Sequence, residues 1–221
     1  MTTARKRWAG TTADERQADR RRRLLDAALD IVGTDGLSGV TVREVCRRAE
    51  LNPRYFYENF DTPDDVLGAL HDRLYAEAAQ RTIGHLDGVP DGEVVRTVMT
   101  ATFAHLADDP RRARVLFGDS TQSPVLAARR RDAVGLLIRT IAPSSSLASD
   151  EVSPTDTVVS AMIAGAVSEL GLSWSEGRLG DDLNLVIDKS TSVMESILAH
   201  ADILDGIHDR AVGAATSLAA D

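Results

Sequence analysis

The stretch Thr41 to Phe60, TVREVCRRAELNPRYFYENF, decides the fold, because it spells two short capped helices separated by a tight turn. Thr41 and Glu44 have capping-box spacing, in which the hydroxyl accepts from a backbone N–H and the carboxylate reaches back to the cap. Asn52-Pro53 supplies the second start, with Asn as N-cap and Pro preset for the first helical position. Residues 53–60 would form a rod of about 12 Å, close to the width of a B-DNA major groove. Phe56 and Phe60, four apart, take the core side, while Arg54, Tyr55, Tyr57, Glu58 and Asn59 project elsewhere. An Arg, two Tyr and an Asn make a surface suited to phosphates and base edges, although an ordinary amphipathic helix with aromatic caps has the same spacing.

Upstream, the run Arg20 to Arg23 opens a helix whose Leu24, Leu25, Ala28, Leu29 and Val32 fall at helical spacing, ending at Gly33 or Gly36. Three helices therefore precede residue 61. Farther upstream, Arg5-Lys6-Arg7-Trp8 lies on a segment without periodicity and reads either as a basic arm for the minor groove and phosphates or as a solvated tail. Downstream, Thr62-Pro63-Asp64-Asp65 starts a fourth helix that carries Val66, Leu67, Leu70, Leu74 and Ala78 on one stripe and runs to about Ile83.

The segment from Gly36 to Leu70 resembles the N-terminal domain of the tetracycline-repressor (TetR) family, whose motif runs Thr-Val-x-x-Ile-Ala-x-x-Ala-Gly-Val-Ser-x-x-x-x-Tyr-x-x-Phe. Thr41, Val42, Ala49, Tyr57 and Phe60 hold those places, with Val45, Leu51 and Asn52 as conservative stand-ins. The resemblance spans Leu24 to Leu70, about a fifth of the chain. It implies an all-α protein, with a three-helix DNA-binding domain followed by a larger helical domain for effector binding and dimerisation. The expected division is 1–61 and 62–221. By the family's pattern, Thr41 and Tyr57 touch phosphates, Arg54 and Tyr55 reach toward bases, and Asn59 donates to a phosphate in a place often held by His. Arg43, Asn52, Arg5 and Arg7 complete the DNA-binding candidates.

Three departures from the pattern stand out. Glu50 replaces the Gly of the turn, and a non-Gly residue held at positive φ costs about 1–2 kcal/mol. Pro63 replaces a Lys that commonly caps the fourth helix and grips a phosphate, for which the basic arm is a candidate replacement. Cys46 stands where a small Ala is usual, and reads as a small hydrophobe rather than a redox sensor.

The net charge of −9 divides unevenly, for residues 1–60 hold 12 Lys+Arg against 9 Asp+Glu and the remainder 13 against 25. A mildly basic head thus precedes an acidic body, and screening beyond about 8–10 Å keeps the two effects local. One Cys excludes an intrachain disulfide, and the charged start with no 18-residue apolar run gives the expectation of a soluble, cytoplasmic protein without membrane contact.

From Asp91 onward the pattern is helical, broken at Asp108-Asp109-Pro110, Ser120 to Pro124, Pro143 to Pro154 and Gly177 to Gly180, leaving about five helices. The last two, Thr155 to Glu176 and Asp181 to about His208, carry small and apolar residues that suit a four-helix bundle with a twin subunit, or else an intrachain core. The resemblance implies a homodimer that reads a palindromic operator in double-stranded DNA. It also implies a small-molecule effector among the central helices, moving the fourth helix like a lever. Candidate effector contacts are Met99, Phe103, Leu116, Phe117, Met162 and Trp174, and the scarcity of aromatics and buried charge points to an apolar effector. Repression is the sign of control that the resemblance implies.

An enzyme is the main rival from another class. The five His residues form no pair at i and i+4, and there is no Gly-rich phosphate loop, no Gly-x-Ser-x-Gly elbow and no strand-like alternation. No catalytic residue, metal site or cofactor is therefore expected. A helical dimeric adaptor or small-molecule-binding protein without DNA binding is the remaining alternative.

Overall fold

α1 (Ala13–Asp35) begins seven residues before the arginine run, because Thr12 and Glu15 form a complete capping box there, with Thr12 Oγ1 accepting from Glu15 N at 3.1 Å. Its first turns are exposed and carry no apolar stripe, so periodicity alone starts the helix too late. Gly36, at φ 76°, ends it in a conformation that favours glycine. The structure, a computed structural model, describes the backbone of residues 12–118, 123–141 and 154–218, and side-chain surroundings for residues 12–118, 123–139 and 157–200. The basic arm with Arg5 and Arg7 and the Pro143 loop lie outside the described residues.

A 3₁₀ turn at Leu37–Gly39 leads to α2 (Val42–Ala49) and α3 (Pro53–Tyr57). α3 is shorter than the expected run to Phe60. After Tyr57 the chain tightens into a turn in which the N–H groups of Asn59 and Phe60 both donate to Phe56 O at 2.9 Å. Phe56 and Phe60 are buried all the same, beside Leu24, Leu25, Ala28, Val32, Val45 and Cys46. Burial raises the Cys46 thiol pKa, as expected of a packed small hydrophobe.

α4 (Pro63–Leu86) opens on a second capping box: Thr62 N donates to Asp65 Oδ2 at 2.8 Å and Asp65 N to Thr62 Oγ1 at 3.2 Å. The chain divides into two compact units, Met1–Leu70 and His71–Asp221, so α4 supplies residues to both. In the first unit α4 buries Val66, Leu67 and Leu70.

The second unit continues through α5 (Val94–Asp108), α6 (Arg111–Phe117), α7 (Pro124–Ile141), α8 (Pro154–Ser175) and α9 (Leu183–Leu218). The breaks fall where Asp109-Pro110 and the Gly177 turn, at φ 73°, interrupt the helical pattern. α8 packs against α5, α6, α7 and α9, and α5 against α9. Their shared core holds Val98, Met99, Phe103, Leu106, Leu116, Leu126, Ile138, Ile163, Ile187 and Met194. Arg96 on α5 pairs with Asp188 on α9. The protein is all-α, with no strand among the described residues.

Among the described residues one helix, α8, is long and apolar enough to cross a membrane, although it contains no unbroken apolar run of 18 residues. Thr157–Ser175 has a mean hydropathy of 1.3 over 19 residues and passes by length and composition. Val159 and Ile163 bury one side of it, and the apolar character of the other side comes from exposed Val158 and Met162, four residues apart.

Candidate functional site

The helix-turn-helix is assembled by arginines from α1. Arg23 donates to Ala49 O at 2.5 Å and to Glu50 O at 3.5 Å, so its guanidinium caps the last carbonyls of α2. Glu50 follows at φ 52° and ψ 45°, left-handed backbone that a glycine adopts without strain. Arg21 donates to Asn59 O at 3.2 Å and lies 4.4 Å from the centroid of the Phe60 ring. Arg20 stands 4.6 Å over the Tyr55 ring and 3.7 Å from Glu58. The sequence reading took this arginine run as the opening of a helix and missed that three of its members clamp the motif. Its charge density was the signal, because a run of four arginines on a helix that packs against two others turns some of them to the interface, where they need acceptors.

Thr41 caps α2, its Oγ1 accepting from Glu44 N at 3.2 Å. The expected reciprocal half of the box does not form. Glu44 instead accepts from Arg47 Nε at 2.8 Å and Arg48 Nε at 3.1 Å, and the Arg47 hydrogen bond holds its carboxyl pKa down at about 2. Arg48 also donates to Asp35 Oδ2 at 2.9 Å, tying α2 back to the end of α1.

Asn52 caps α3, with Oδ1 accepting from Arg54 N at 2.9 Å. Around this short helix the candidate residues fall into place as a polar edge. Arg54 keeps 82% of its side chain exposed while pairing with Glu58 at 3.0 Å, and Tyr57 is 59% exposed. Tyr55 is held from behind by Arg20, and Asn59 donates its Nδ2–H to Tyr55 O at 2.8 Å. The Asn59 amide, in the turn after α3, is thus engaged with the end of that helix. Arg43 is exposed on α2 and makes no hydrogen bond or ion pair among the described residues. Thr41, Arg43, Asn52, Arg54, Tyr55 and Tyr57 are all exposed, while Phe56 beneath them is 0% exposed. Chemically, this edge offers hydroxyl, amide and guanidinium groups that can meet phosphate oxygens and base edges.

The second unit holds a partly open cavity of about 210 Å³ walled by α4, α5, α6, α7 and α8. Leu116 and Phe117, two of the expected effector contacts, line it. Met99 and Phe103 are buried in the core and Trp174 is half-buried, none of the three in the cavity wall, and Met162 is exposed on α8. Helical spacing marks a residue as apolar and inward but does not say which buried side chains border a void. The wall is mostly aliphatic, from Ile83, Leu86, Val98, Leu106, Val134 and Leu137. Gly171 of α8 lets Phe117 approach closely, since a Cβ there would stand 2.5 Å from the ring.

The polar members of the wall include His71, Tyr75, Thr82, His105 and Arg130, which sequence reasoning had not singled out. Tyr75 donates to Ala133 O at 3.2 Å and Thr82 to Ala78 O at 3.0 Å. Arg130 donates to Leu116 O at 2.7 Å and Val115 O at 3.2 Å, closing the end of α6. Burial lowers the pKa of both histidines, that of His105 to about 4. No group of three or more His, Cys, Asp or Glu residues is placed to hold a metal among the described residues.

Residues 24–70 match the family model for bacterial regulatory proteins of the tetR family. No curated protein matches the chain significantly. Among solved structures, the chain is similar to the fatty acid degradation regulator FadR from Bacillus halodurans, at 17% identity and a TM-score of 0.64 over 81% of this chain and 94% of that one. It is also similar to a putative TetR-family transcriptional regulator from Syntrophomonas wolfei, at 14% identity and a TM-score of 0.67 over 82% and 96% of the two chains. A putative fatty acid metabolism regulator from Clostridium perfringens aligns at 17% identity and a TM-score of 0.57, over 80% and 97%. At such identities these likenesses speak to the fold. The family match speaks to the N-terminal domain, which is a TetR-family helix-turn-helix.

Proposed function

We propose that this chain, whose N-terminal domain is that of a TetR-family DNA-binding regulator, represses transcription by holding a palindromic operator as a homodimer and is released by a small apolar effector. TetR-family regulators bind DNA, are dimeric and are generally not enzymes. The observation that carries the reading is the polar edge of α3. Its backing aromatics are buried and its Arg54, Tyr55 and Tyr57 are exposed, which is the arrangement a helix needs to enter a groove. In this reading Tyr57 and Thr41 bind phosphates, Arg54 and Tyr55 read bases, and Arg43 and Asn52 support the docking. Arg5 and Arg7 add phosphate or minor-groove contacts.

The dimer interface is assigned to the exposed apolar faces of α8 and α9. Val158 and Met162 on one and Leu185 and Val193 on the other are large, apolar and more than half exposed or nearly so, which favours burial against a second copy. The effector site is the cavity in the second unit. α4 links it to the head through the chain, for Val66, Leu67 and Leu70 belong to the first unit's core, and His71, Tyr75, Ala78 and Thr82 line the cavity. An effector that prefers one setting of α4 changes operator affinity by at most that preference, and by linkage the operator changes effector affinity by the same factor. Two of the similar solved structures are regulators named for fatty acid degradation or metabolism, which agrees with the aliphatic wall here.

The test is selection of bound duplexes from a random library by the purified full chain at low salt. Enrichment of a two-fold symmetric site supports the reading; recovery of no preferred sequence rejects it.

A further inference from the structure

His105 is 1% exposed, and its two ring nitrogens have different surroundings. Arg112 Nη1 lies 3.2 Å from His105 Nδ1 and donates to the His105 carbonyl at 2.7 Å. A guanidinium has no acceptor, so in this contact Nδ1 must offer its lone pair and cannot carry a proton. A neutral imidazole then bears its hydrogen on Nε2. That nitrogen is buried and has no partner among the described residues, in a residue that lines the cavity. A buried donor left without an acceptor is costly, and an arriving acceptor would relieve the cost.

The rest of the wall agrees in sign. Among the described residues it contains no carboxylate and no lysine, and the one formal charge there is the Arg130 guanidinium. His71, 3% exposed, supplies another buried nitrogen without a partner, Nδ1, which lies 3.8 Å from Asp72 and so beyond hydrogen-bonding distance. Asp72 itself is engaged by Arg129 at 2.8 Å and is not part of the wall. Among the described residues nothing in the wall would neutralise a cationic ligand, whereas an oxygen acceptor would satisfy the unpartnered nitrogen of His105.

We propose that the cavity binds an aliphatic molecule carrying an uncharged or anionic oxygen acceptor, that His105 Nε2–H receives that oxygen with Arg112 fixing the tautomer, and that cationic amphiphiles are excluded. This deepens the effector reading above and rests on it only for the consequence to DNA. Burial keeps His105 neutral, with Arg112 and Arg81 acting in the same direction and Asp108 and Asp109 opposing them, so that one ring nitrogen is bare and the other protonated.

The test uses the full chain and three probes of equal chain length, octan-1-ol, octanoate and octylammonium, in calorimetric titrations, with imidazole ¹⁵N spectra of the wild type. Octanol and octanoate are expected to bind, and octylammonium to bind at least about tenfold more weakly or not at all. The His105 spectrum should show a protonated Nε2 and a bare Nδ1, with the Nε2 signal moving on saturation with octanol. His105→Leu should lose about tenfold in octanol affinity, and His105→Gln, which keeps an N–H donor, should recover part of the loss. The proposal is overturned by a wild type that binds none of the probes, by equal or better binding of octylammonium, or by a proton found on Nδ1. Undiminished octanol binding to folded His105→Leu also overturns it. Operator affinity is measured separately with each bound probe; binding without any change in DNA affinity removes the effector part of the proposed function and leaves this site standing.

Discussion

Arg23 and Ala49 are 26 residues apart, yet the Arg23 guanidinium donates to the Ala49 carbonyl at 2.5 Å and so closes α2 one residue before the left-handed Glu50. The cap neutralises a carbonyl at the negative end of a helix and holds the turn in which Glu50 occupies a place better suited to glycine. Two opposite outcomes follow at adjacent positions. Arg23→Met should lower unfolding stability by about 1–2 kcal/mol, by leaving a partly buried carbonyl uncapped. Glu50→Gly should raise it by about 0.5–1 kcal/mol, since relief of the left-handed strain exceeds the extra chain entropy of glycine. Urea titrations of both variants check this, and a destabilised Glu50→Gly would mean that the turn carries no strain.

Arg54 pairs with Glu58 across one helical turn at 3.0 Å while remaining 82% exposed. Such a pair contributes about 0–1 kcal/mol and does not prevent the guanidinium from turning to a base. Arg54→Ala should therefore leave stability unchanged within about 0.5 kcal/mol but relax preference at particular base pairs by about 1–3 kcal/mol. Tyr57→Phe should instead weaken every duplex alike, as loss of a phosphate contact does. Competition binding with operator variants separates the two, and uniform loss for Arg54→Ala would remove its base-reading role.

The neutral state of His105 makes stability depend on pH. Burial pulls its pKa from the ordinary 6.5 to about 4, with Arg112 and Arg81 acting in the same direction. Below 6.5 the unfolded chain takes up a proton that the folded chain refuses. Stability is therefore fully present above pH 6.5 and falls as pH drops from 6.5 toward 4, by about 2–3 kcal/mol over the whole window. Buried His71 shifts in the same direction and adds to the slope. Urea midpoints of wild type and His105→Gln at pH 7 and pH 5 test this: the variant should lose less on acidification.

Gly171 is required by contact, since a Cβ would stand 2.5 Å from Phe117 Cδ2 and 2.7 Å from Cε2. Gly171→Ala must push the Phe117 ring or separate α8 from α6, at a cost of about 1–3 kcal/mol. Because Phe117 lines the cavity, the same substitution should alter the affinity of octan-1-ol. A thermal melt together with a probe titration reads both effects, and an unchanged value of each would show that the close approach is unimportant.

Met162, 59% exposed on α8 beside Val158, is assigned to the subunit interface. Met162→Glu should shift the particle toward a monomer in sedimentation while leaving its helical circular dichroism intact, because a solvent-exposed site tolerates the charge within one subunit. Operator binding should weaken with it, as a lone head loses the second half-site. A dimer that persists would place the interface elsewhere.

The capped starts at Thr41, Asn52 and Thr62, and the burial of Phe56 and Phe60, were legible in the amino-acid order, since capping and i, i+4 spacing are local relations that hold wherever the helix is placed. The all-α class and the breaks at Pro110 and Gly177 were legible for the same reason. The start of α1 was readable too, in Thr12 and Glu15, but periodicity drew the boundary at the apolar stripe instead. What adjoins a side chain across the fold is not a local relation. That Arg20, Arg21 and Arg23 clamp the motif, that Glu44 turns to Arg47 and Arg48 rather than to its cap, and that His105 and His71 border a void while Met99 and Phe103 fill the core depended on how the helices pack. Sequence periodicity sets which face of a helix turns inward; only the packing of several helices decides whether that face meets another side chain or a cavity.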